Sequence, residues 1–297
     1  MAGTAEAAVA FGSIDEVDSA LRRRGYLADE ATATIVFLAA RLAKPLLVEG
    51  PAGTGKTDLA RALAQATGRR LVRLQCYEGL DETKVLYEWN YRKQLLGLQA
   101  ARDTAGTPGA ELEDVFSEPF LLSRPVLDAI RSPAPVVLLI DELDRIEMET
   151  EALLLEVLSD FQITIPELGL VQATTRPLTV LTSNATRELS EALKRRCLYL
   201  WLDYPSLERE RAIVMARVPG IAERLATQVV RTVQQIRSLD LKKPPSVAET
   251  LDWAATLVQL GLDSADREAL RRTMGALLKH RSDLAQVERQ LEADTRG

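Results

Sequence analysis

Cysteine and histidine are almost missing from this chain of 297 residues: Cys76, Cys197 and His280 are all it has. So few soft ligands cannot build a metal cluster, and two cysteines make no disulfide framework. A reduced, cytoplasmic protein is the default expectation. Neither cysteine has a histidine to accompany it, so both read as small buried residues and not as nucleophiles. Long apolar runs are missing as well. "TIVFLAARLAKPLLV" is broken by Arg41 and Lys44, and "APVVLLI" is far shorter than a membrane span. The N-terminus shows neither a basic n-region nor an apolar h-region, so no signal peptide is expected. Excess positive charge is the third absence. Net charge is −6 and the pI is about 5.2, whereas general nucleic-acid affinity needs a basic stripe. No nucleic-acid partner and no transmembrane segment are expected.

What is present is an ordinary globular balance, 46% hydrophobic and 27% charged. The length suits one large domain or a large and a small one. Residues 1–12 are rich in Ala, Gly and Thr and are expected to fray. Helical patterns follow in "IDEVDSALRRRGY" and "ADEATATIVFLAARLA". Short apolar runs then recur at 45–49, 70–75, 136–141, 178–184 and 198–202, mostly with helix-like segments between them. That alternation predicts an α/β fold, a parallel five-stranded sheet with helices on both faces. Two segments break the rhythm. "YEGLDETKVLYEWNYRKQLL" carries Tyr87, Trp89 and Tyr91 at a period of two, which predicts a hairpin or a projecting ribbon. "FQITIPELGLVQ" alternates around a Pro-Glu-Leu-Gly turn, and "RDTAGTPGAELED" reads as a surface loop. Inserts are therefore expected near 78–99 and 161–173. After Pro205 strand signals stop and amphipathic helices take over, so a boundary is expected there, with 1–204 and 205–297 as the two units.

"GPAGTGKT" follows the first strand and opens the helix "DLARALAQAT". It fits G-x-x-x-x-G-K-[ST] in the strand-to-helix setting that pattern needs. Gly50, Gly53 and Gly55 let the backbone curl so that amides point at phosphate oxygens, and Pro51, Ala52 and Thr54 complete the loop. The helix start, with Asp58 in its first turn, adds a field that favours anions. Lys56 is expected to meet the terminal phosphates, and the Thr57 hydroxyl to bind Mg²⁺. Further on, "PVVLLIDELD" ends a buried strand in Asp141 and Glu142, at the sheet edge where ligands of open α/β folds sit. Two carboxylates can divide the work: Asp141 holds the Mg²⁺ shell, commonly through water, while Glu142 polarises the attacking water. Asp144, beyond the pair, reads as structural or as part of a subunit surface. No N-K-x-D guanine reader is present, so ATP is the expected nucleotide.

Farther along, "EALKRRCLYL" places Arg195 and Arg196 where a helix pattern gives way to a strand. Arg195 has Glu191 four residues earlier, the spacing of a surface ion pair. Arg196 has Ala192 and Leu193 at that spacing, on the apolar face. A positive charge at a helix end is worth only about 0.3–1 kcal/mol when exposed, and either arginine supplies it.

The order of these parts, phosphate loop, "LLIDE", "LTSN" and then "SEALKRRC", resembles the AAA+ ATPases. "RLQCYEGLD", "YEWNY" and "LLLEVLSDFQITIPELG" resemble the MoxR family in particular. Within it they resemble the branch associated with maturation of carbon monoxide dehydrogenase and related molybdenum hydroxylases (CoxD-like proteins). The resemblance covers roughly residues 14–290. It implies a P-loop NTPase αβα sandwich with a C-terminal α-helical lid domain, and a ring, usually a hexamer, with ATP between neighbours. It also implies a chaperone that remodels protein complexes, often beside a von Willebrand factor A-domain protein, with a client metalloenzyme of the molybdenum hydroxylase type. Asn184 matches the polar sensor that helps align the attacking water. Arg196, with Arg195 in reserve, matches the finger that reaches the neighbour's γ-phosphate. Gln75 lies near a residue that restrains the catalytic glutamate in some members, or is an ordinary strand-end hydrogen-bonding group. Tyr26 and Leu27 lie where the family packs adenine, or simply connect two helices. Tyr87, Trp89 and Tyr91 either grip a client or pack on their own insert. One departure stands out: "PPSVAETLDWA" has Ala248 and Glu249 where the family often has a lid arginine, leaving Lys242 or Lys243 as a substitute or as a solvated turn. Two other classes share the phosphate loop, a nucleic-acid-directed AAA+ motor and a monomeric P-loop kinase. Acidic charge and the lack of a DNA-binding module count against the first, and oligomeric state separates the second.

Overall fold

The computed structural model describes residues 10–103 and 115–296. Most of the expected fraying segment and nearly all of the expected loop "RDTAGTPGAELED" lie outside the described residues.

Two helices open the fold, α1 (Ile14–Arg22) and α2 (Glu30–Leu42), each started by a side-chain cap. Ser13 accepts from the Glu16 amide and Asp29 from the Thr32 amide, satisfying donors the first helical turn cannot use. Strand β1 (Leu46–Glu49) leads to α3 (Lys56–Thr67), which stops at the left-handed Gly68. Next come β2 (Arg70–Gln75), α4 (Glu82–Val85), β3 (Tyr87–Trp89), α5 (Tyr91–Asp103), β4 (Leu121–Ser123) and α6 (Pro125–Ile130). The second half of the sheet unit holds β5 (Val136–Asp141), α7 (Met148–Asp160), β6 (Gln162–Ile165), β7 (Gly169–Gln172), β8 (Leu178–Ser183), α8 (Glu191–Arg196) and β9 (Leu198–Trp201). The chain ends in α9 (Leu207–Arg217), α10 (Glu223–Arg237), α11 (Val247–Gln259), α12 (Arg267–Leu277) and α13 (Arg281–Arg296).

All five expected strands form one parallel sheet in the order β2-β5-β8-β1-β9. Both faces are covered, which is why the central strands read as unbroken apolar runs. Alternation sends Leu47, Leu138, Ile140 and Leu181 into one core with α6, α7 and α8. Leu46, Val48, Val137, Leu139 and Val180 enter the other, against α1, α2 and α3. Each such fully buried side chain is worth about 1.5–3 kcal/mol. The ribbon expected through Tyr87, Trp89 and Tyr91 is shorter than its period suggests. β3 pairs antiparallel with β4, and Asn90 then ends it by capping α5, its Oδ1 accepting from the Lys93 amide at 3.0 Å. Trp89 is buried, edge-on to Phe116 at 5.5 Å, whereas Tyr91 is 62% exposed. Residues 162–172 form the alternating hairpin, β6 against β7, turning at Gly169 with φ of 82°.

After Trp201 the described residues contain no strand, and α9 to α13 share a third core around the fully buried Trp253. Its Nε1 donates to Thr273 Oγ1 at 2.7 Å. A buried ion pair ties this unit together. Arg237 donates to both oxygens of Glu210 at 2.7 Å, Thr250 Oγ1 donates to the same carboxylate at 2.8 Å, and the guanidinium stacks on Tyr204 at 4.6 Å.

Candidate functional site

The loop from Gly50 to Gly55 leaves β1 and turns directly into α3. Two of its glycines are required by crowding as well as by conformation. Gly50 (φ 151°) has no space for a Cβ beside the Leu202 carbonyl, and Gly53 (φ 73°) has none beneath the Ser246 side chain. Ser246 belongs to the C-terminal unit, where it forms a capping box with Glu249 at the start of α11. That contact sets α11 over the loop. A second tie comes from α9: Arg209 donates to the Leu27 carbonyl at 2.9 and 3.2 Å, and Arg217 lies 3.4 Å from Asp58.

Between these elements lies a cleft of about 830 Å³. Ala52, Gly53, Thr54, Gly55, Lys56, Thr57 and Asp58 line its floor, with Asp141, Glu142 and Asn184 beside them. Tyr26 and Leu27 form one wall, and residues 201–206, α9 and the start of α11 form the rest. Gly50 and Pro51 instead turn their carbonyls to Lys56 Nζ, at 2.8 and 2.7 Å. The Lys56 amine is buried, and desolvation holds it below the usual lysine range against the pull of Asp144, Asp141, Glu142 and Glu49.

Strand parity brings the rest together. Asp141 shares a face with Val137 and Leu139, so it points toward α3, where Thr57 Oγ1 donates to its Oδ1 at 2.9 Å. Thr182, on the same face of β8, donates to that oxygen at 2.6 Å and accepts the Glu142 amide at 3.0 Å. Glu142 itself is left-handed (φ 59°), as is Ala185 (φ 55°) after the fourth sheet strand. Strained non-glycine residues of this kind collect at functional sites. The Glu142 carboxylate pairs with Arg145 at 2.7 Å. Asp144 turns away and fixes the loop after β8, accepting from the Asn184 and Thr186 amides at 3.1 Å and from the Thr186 hydroxyl. Glu151, also buried, continues the clamp to Arg187 and to the Ser190 amide, both at 2.8 Å.

One expectation changes and several open alternatives close. Gln75 Oε1 accepts from Arg73 and does not reach Glu142, because β2 ends level with Asp141 and its alternation turns both polar side chains toward that residue. Glu191 lies 3.9 Å from Lys194, one helical turn on, and among the described residues Arg195 has no ion pair. Arg196 is outside the chain's own cleft and donates to the Leu155 carbonyl of α7 at 3.1 Å and to Ser159 Oγ. Lys242 and Lys243 do not line the cleft, and their amides serve Asp283. The cations that border it from the helical unit are Arg209 and Arg217. Both thiols are buried, which pushes Cys76 and Cys197 up to about 12. Arg73, Thr182, Ser246, Arg209 and Arg217 escaped the sequence pattern. Only Thr182, next but one to Asn184 in "LTSN", carried any local signal.

The sequence pattern of the ATPase family associated with various cellular activities (AAA) matches residues 46–200. Denitrification regulatory protein NirQ of Pseudomonas aeruginosa is 25% identical over 236 residues, covering 76% of this chain and 80% of NirQ. Gas vesicle ATPase GvpN of Ancylobacter aquaticus is 28% identical over 232 residues, covering 74% of this chain and 62% of GvpN, less than two thirds of that protein. Among solved structures, a RuvB mutant of Thermotoga maritima is similar with a TM-score of 0.47 and 18% identity, over 89% of this chain and 70% of that one.

Proposed function

Because the chain belongs to the AAA family of ATPases and hydrolyses ATP, we propose that it couples this turnover to the remodelling of a protein complex, as a MoxR-type chaperone. One observation carries the reading. The phosphate loop, the Thr57–Asp141 pair, Glu142 and Asn184 share a single cleft whose roof is a separate helical unit. Nucleotide in that cleft touches both units at once, so its hydrolysis changes how they fit together.

Each residue then has a task. Lys56 leaves its two carbonyls for the terminal phosphates, and the amides of residues 52–57 surround the rest. A hydroxyl donating to a carboxylate is a donor set that suits a hard divalent cation. Thr57 would hold Mg²⁺ directly and Asp141 through water, and the ion would neutralise phosphate charge when bound. Glu142 is the base that orients and deprotonates the attacking water, after leaving Arg145. Asn184, held in place through Asp144, aligns that water. Residues 1–204 act as the nucleotide-binding unit and 205–297 as its lid, with Arg209 and Arg217 as the lid cations nearest the cleft. Arg196, with Arg195 in reserve, is the finger offered to the neighbouring subunit of a ring, expected to be a hexamer. Its position outside its own cleft supports this assignment.

The two relatives are a regulatory protein of denitrification and a gas vesicle ATPase, which favours service to other proteins over a small-molecule substrate. Within that role we place this chain with the CoxD-like branch. Its client is then a metalloenzyme of the molybdenum hydroxylase type, and its partner a von Willebrand factor A-domain protein. The test is capture by Glu142→Gln, which should hold ATP and its client without turnover. Recovery of a molybdenum hydroxylase subunit is the expected result. Unchanged cofactor content and activity of every cellular molybdenum hydroxylase after gene deletion would remove that client.

A further inference from the structure

Asp141 is bonded at every available position. Its Oδ1 accepts from Thr57 Oγ1 at 2.9 Å and Thr182 Oγ1 at 2.6 Å. Its Oδ2 accepts twice from one guanidinium, Arg73 Nη2 at 2.6 Å and Nε at 3.2 Å. A carboxylate offers about four lone-pair sites, so nothing remains for a further donor. Arg73 sits on the edge strand β2, two residues before the position level with Asp141. The two partners differ in freedom: the Arg73 side chain is 41% exposed and that of Asp141 is 3% exposed.

We infer that Arg73 is a positioning residue that competes with the water shell of a divalent cation for Asp141 Oδ2, so that loading the cation requires the guanidinium to move off that oxygen. The inference rests on the reading of Thr57 and Asp141 as the cation's holders. The bonds to Oδ1 can remain, because a hydroxyl that donates its proton to Asp141 keeps its lone pairs for a metal. Arg73 cannot remain in the same way. It occupies the acceptor that a metal-bound water would use, and it carries charge of the same sign as the ion. Gln75 Oε1 already accepts from Arg73 Nη2 and provides a partner for the displaced guanidinium.

A guard and a simple staple make opposite forecasts. If Arg73 only fixes Asp141 in place, its removal loosens the carboxylate and weakens cation binding. If it competes, removal strengthens cation binding. The experiment titrates Mg²⁺ into the full chain with a fluorescent ADP analogue, and measures analogue affinity separately in EDTA. In Arg73→Gln the Mg²⁺ concentration for half effect should fall by about tenfold, the scale of one charge-assisted hydrogen bond, with affinity in EDTA unchanged. Arg73→Lys should fall between, since lysine returns one hydrogen bond to Oδ2. An unchanged or increased Mg²⁺ requirement in Arg73→Gln overturns the inference. Should that variant not fold, as judged by circular dichroism, Arg73→Lys decides by the same directions. Wild-type binding that ignores Mg²⁺ altogether would instead overturn the cation reading itself, and the inference with it.

Discussion

Thr57 and Asp141 are 84 residues apart in the chain and meet through a hydrogen bond of 2.9 Å. The contact joins the first turn of α3 to the end of β5 and closes the floor of the cleft. Lys56 and Glu142 are its immediate neighbours in sequence, and Thr182 bonds to it from β8. Substitutions around this contact therefore separate binding from chemistry.

Lys56→Ala should lose nucleotide. The buried amine is a donor already stripped of water, and its charge-assisted bonds to phosphate should be worth about 10- to 100-fold in affinity. Calorimetric titration with a non-hydrolysable ATP analogue reads this directly. An affinity equal to wild type would remove Lys56 from the phosphate site.

Glu142→Gln should keep its nucleotide affinity and lose turnover by about 10²- to 10⁴-fold, the usual contribution of a positioned base. The backbone bond from its amide to Thr182 does not depend on the carboxylate, so the strained turn should survive. Phosphate release assayed beside analogue binding distinguishes a chemical defect from a folding one.

The two arginines of α8 call for a mixing experiment. Arg196→Ala should bind ATP, yet turn over about 10³- to 10⁵-fold more slowly. Mixing it with Lys56→Ala subunits should restore part of the rate, because each supplies what the other lacks. Since Arg196 also anchors to the Leu155 carbonyl and Arg195 has no ion pair among the described residues, a loss confined to Arg195→Ala would transfer the finger to that residue.

In the helical unit, Glu210→Gln leaves Arg237 buried without a counter-charge. Removing one partner of such a pair costs about 3–5 kcal/mol. The variant should show a lower melting temperature by calorimetry, with the transition of the α9–α13 unit affected first. A melt indistinguishable from wild type would show that Thr250 and Tyr204 suffice to hold the guanidinium.

Acid should loosen the loop between β8 and α8. Burial opposes ionisation of Asp144 and Glu151, but hydrogen bonds win: from Thr186 and the Asn184 amide to Asp144, and from Ser190 and Arg187 to Glu151. Both carboxyls therefore lie below their ordinary values. A group depressed in the fold stabilises it above its unfolded pKa of about 4, and that contribution is lost as pH falls through the folded value. Melting temperature should drop steeply below about pH 4–5, and Asp144→Asn, less stable at pH 7, should show a shallower drop. An identical pH slope in the two proteins would exclude Asp144 as a source.

The parts of this protein that the sequence alone determined are those encoded by neighbours in the chain. "GPAGTGKT" needs only glycines free to adopt positive φ and a helix behind it. The five apolar runs needed only their length and the turns around them to be legible as buried strands, and "LLIDE" its place at a strand end. Tertiary structure decided which of these surfaces meet. Arg73 finds Asp141 because β2 lies beside β5 with matching parity, a fact of strand order that no spacing between 73 and 141 records. Trp89 turns inward to join the core beneath α6 and β5, edge-on to Phe116 from another segment, while Tyr91, two residues on, is left outside by a helix cap. Gly53 is crowded by Ser246, from nearly 200 residues later in the chain. Glycine torsions and apolar runs are set by local sterics and by transfer out of water, which act on each residue in place. Ion pairs and roofs depend on where the sheet order and the helical unit deliver distant side chains, and that is settled only when the cores close.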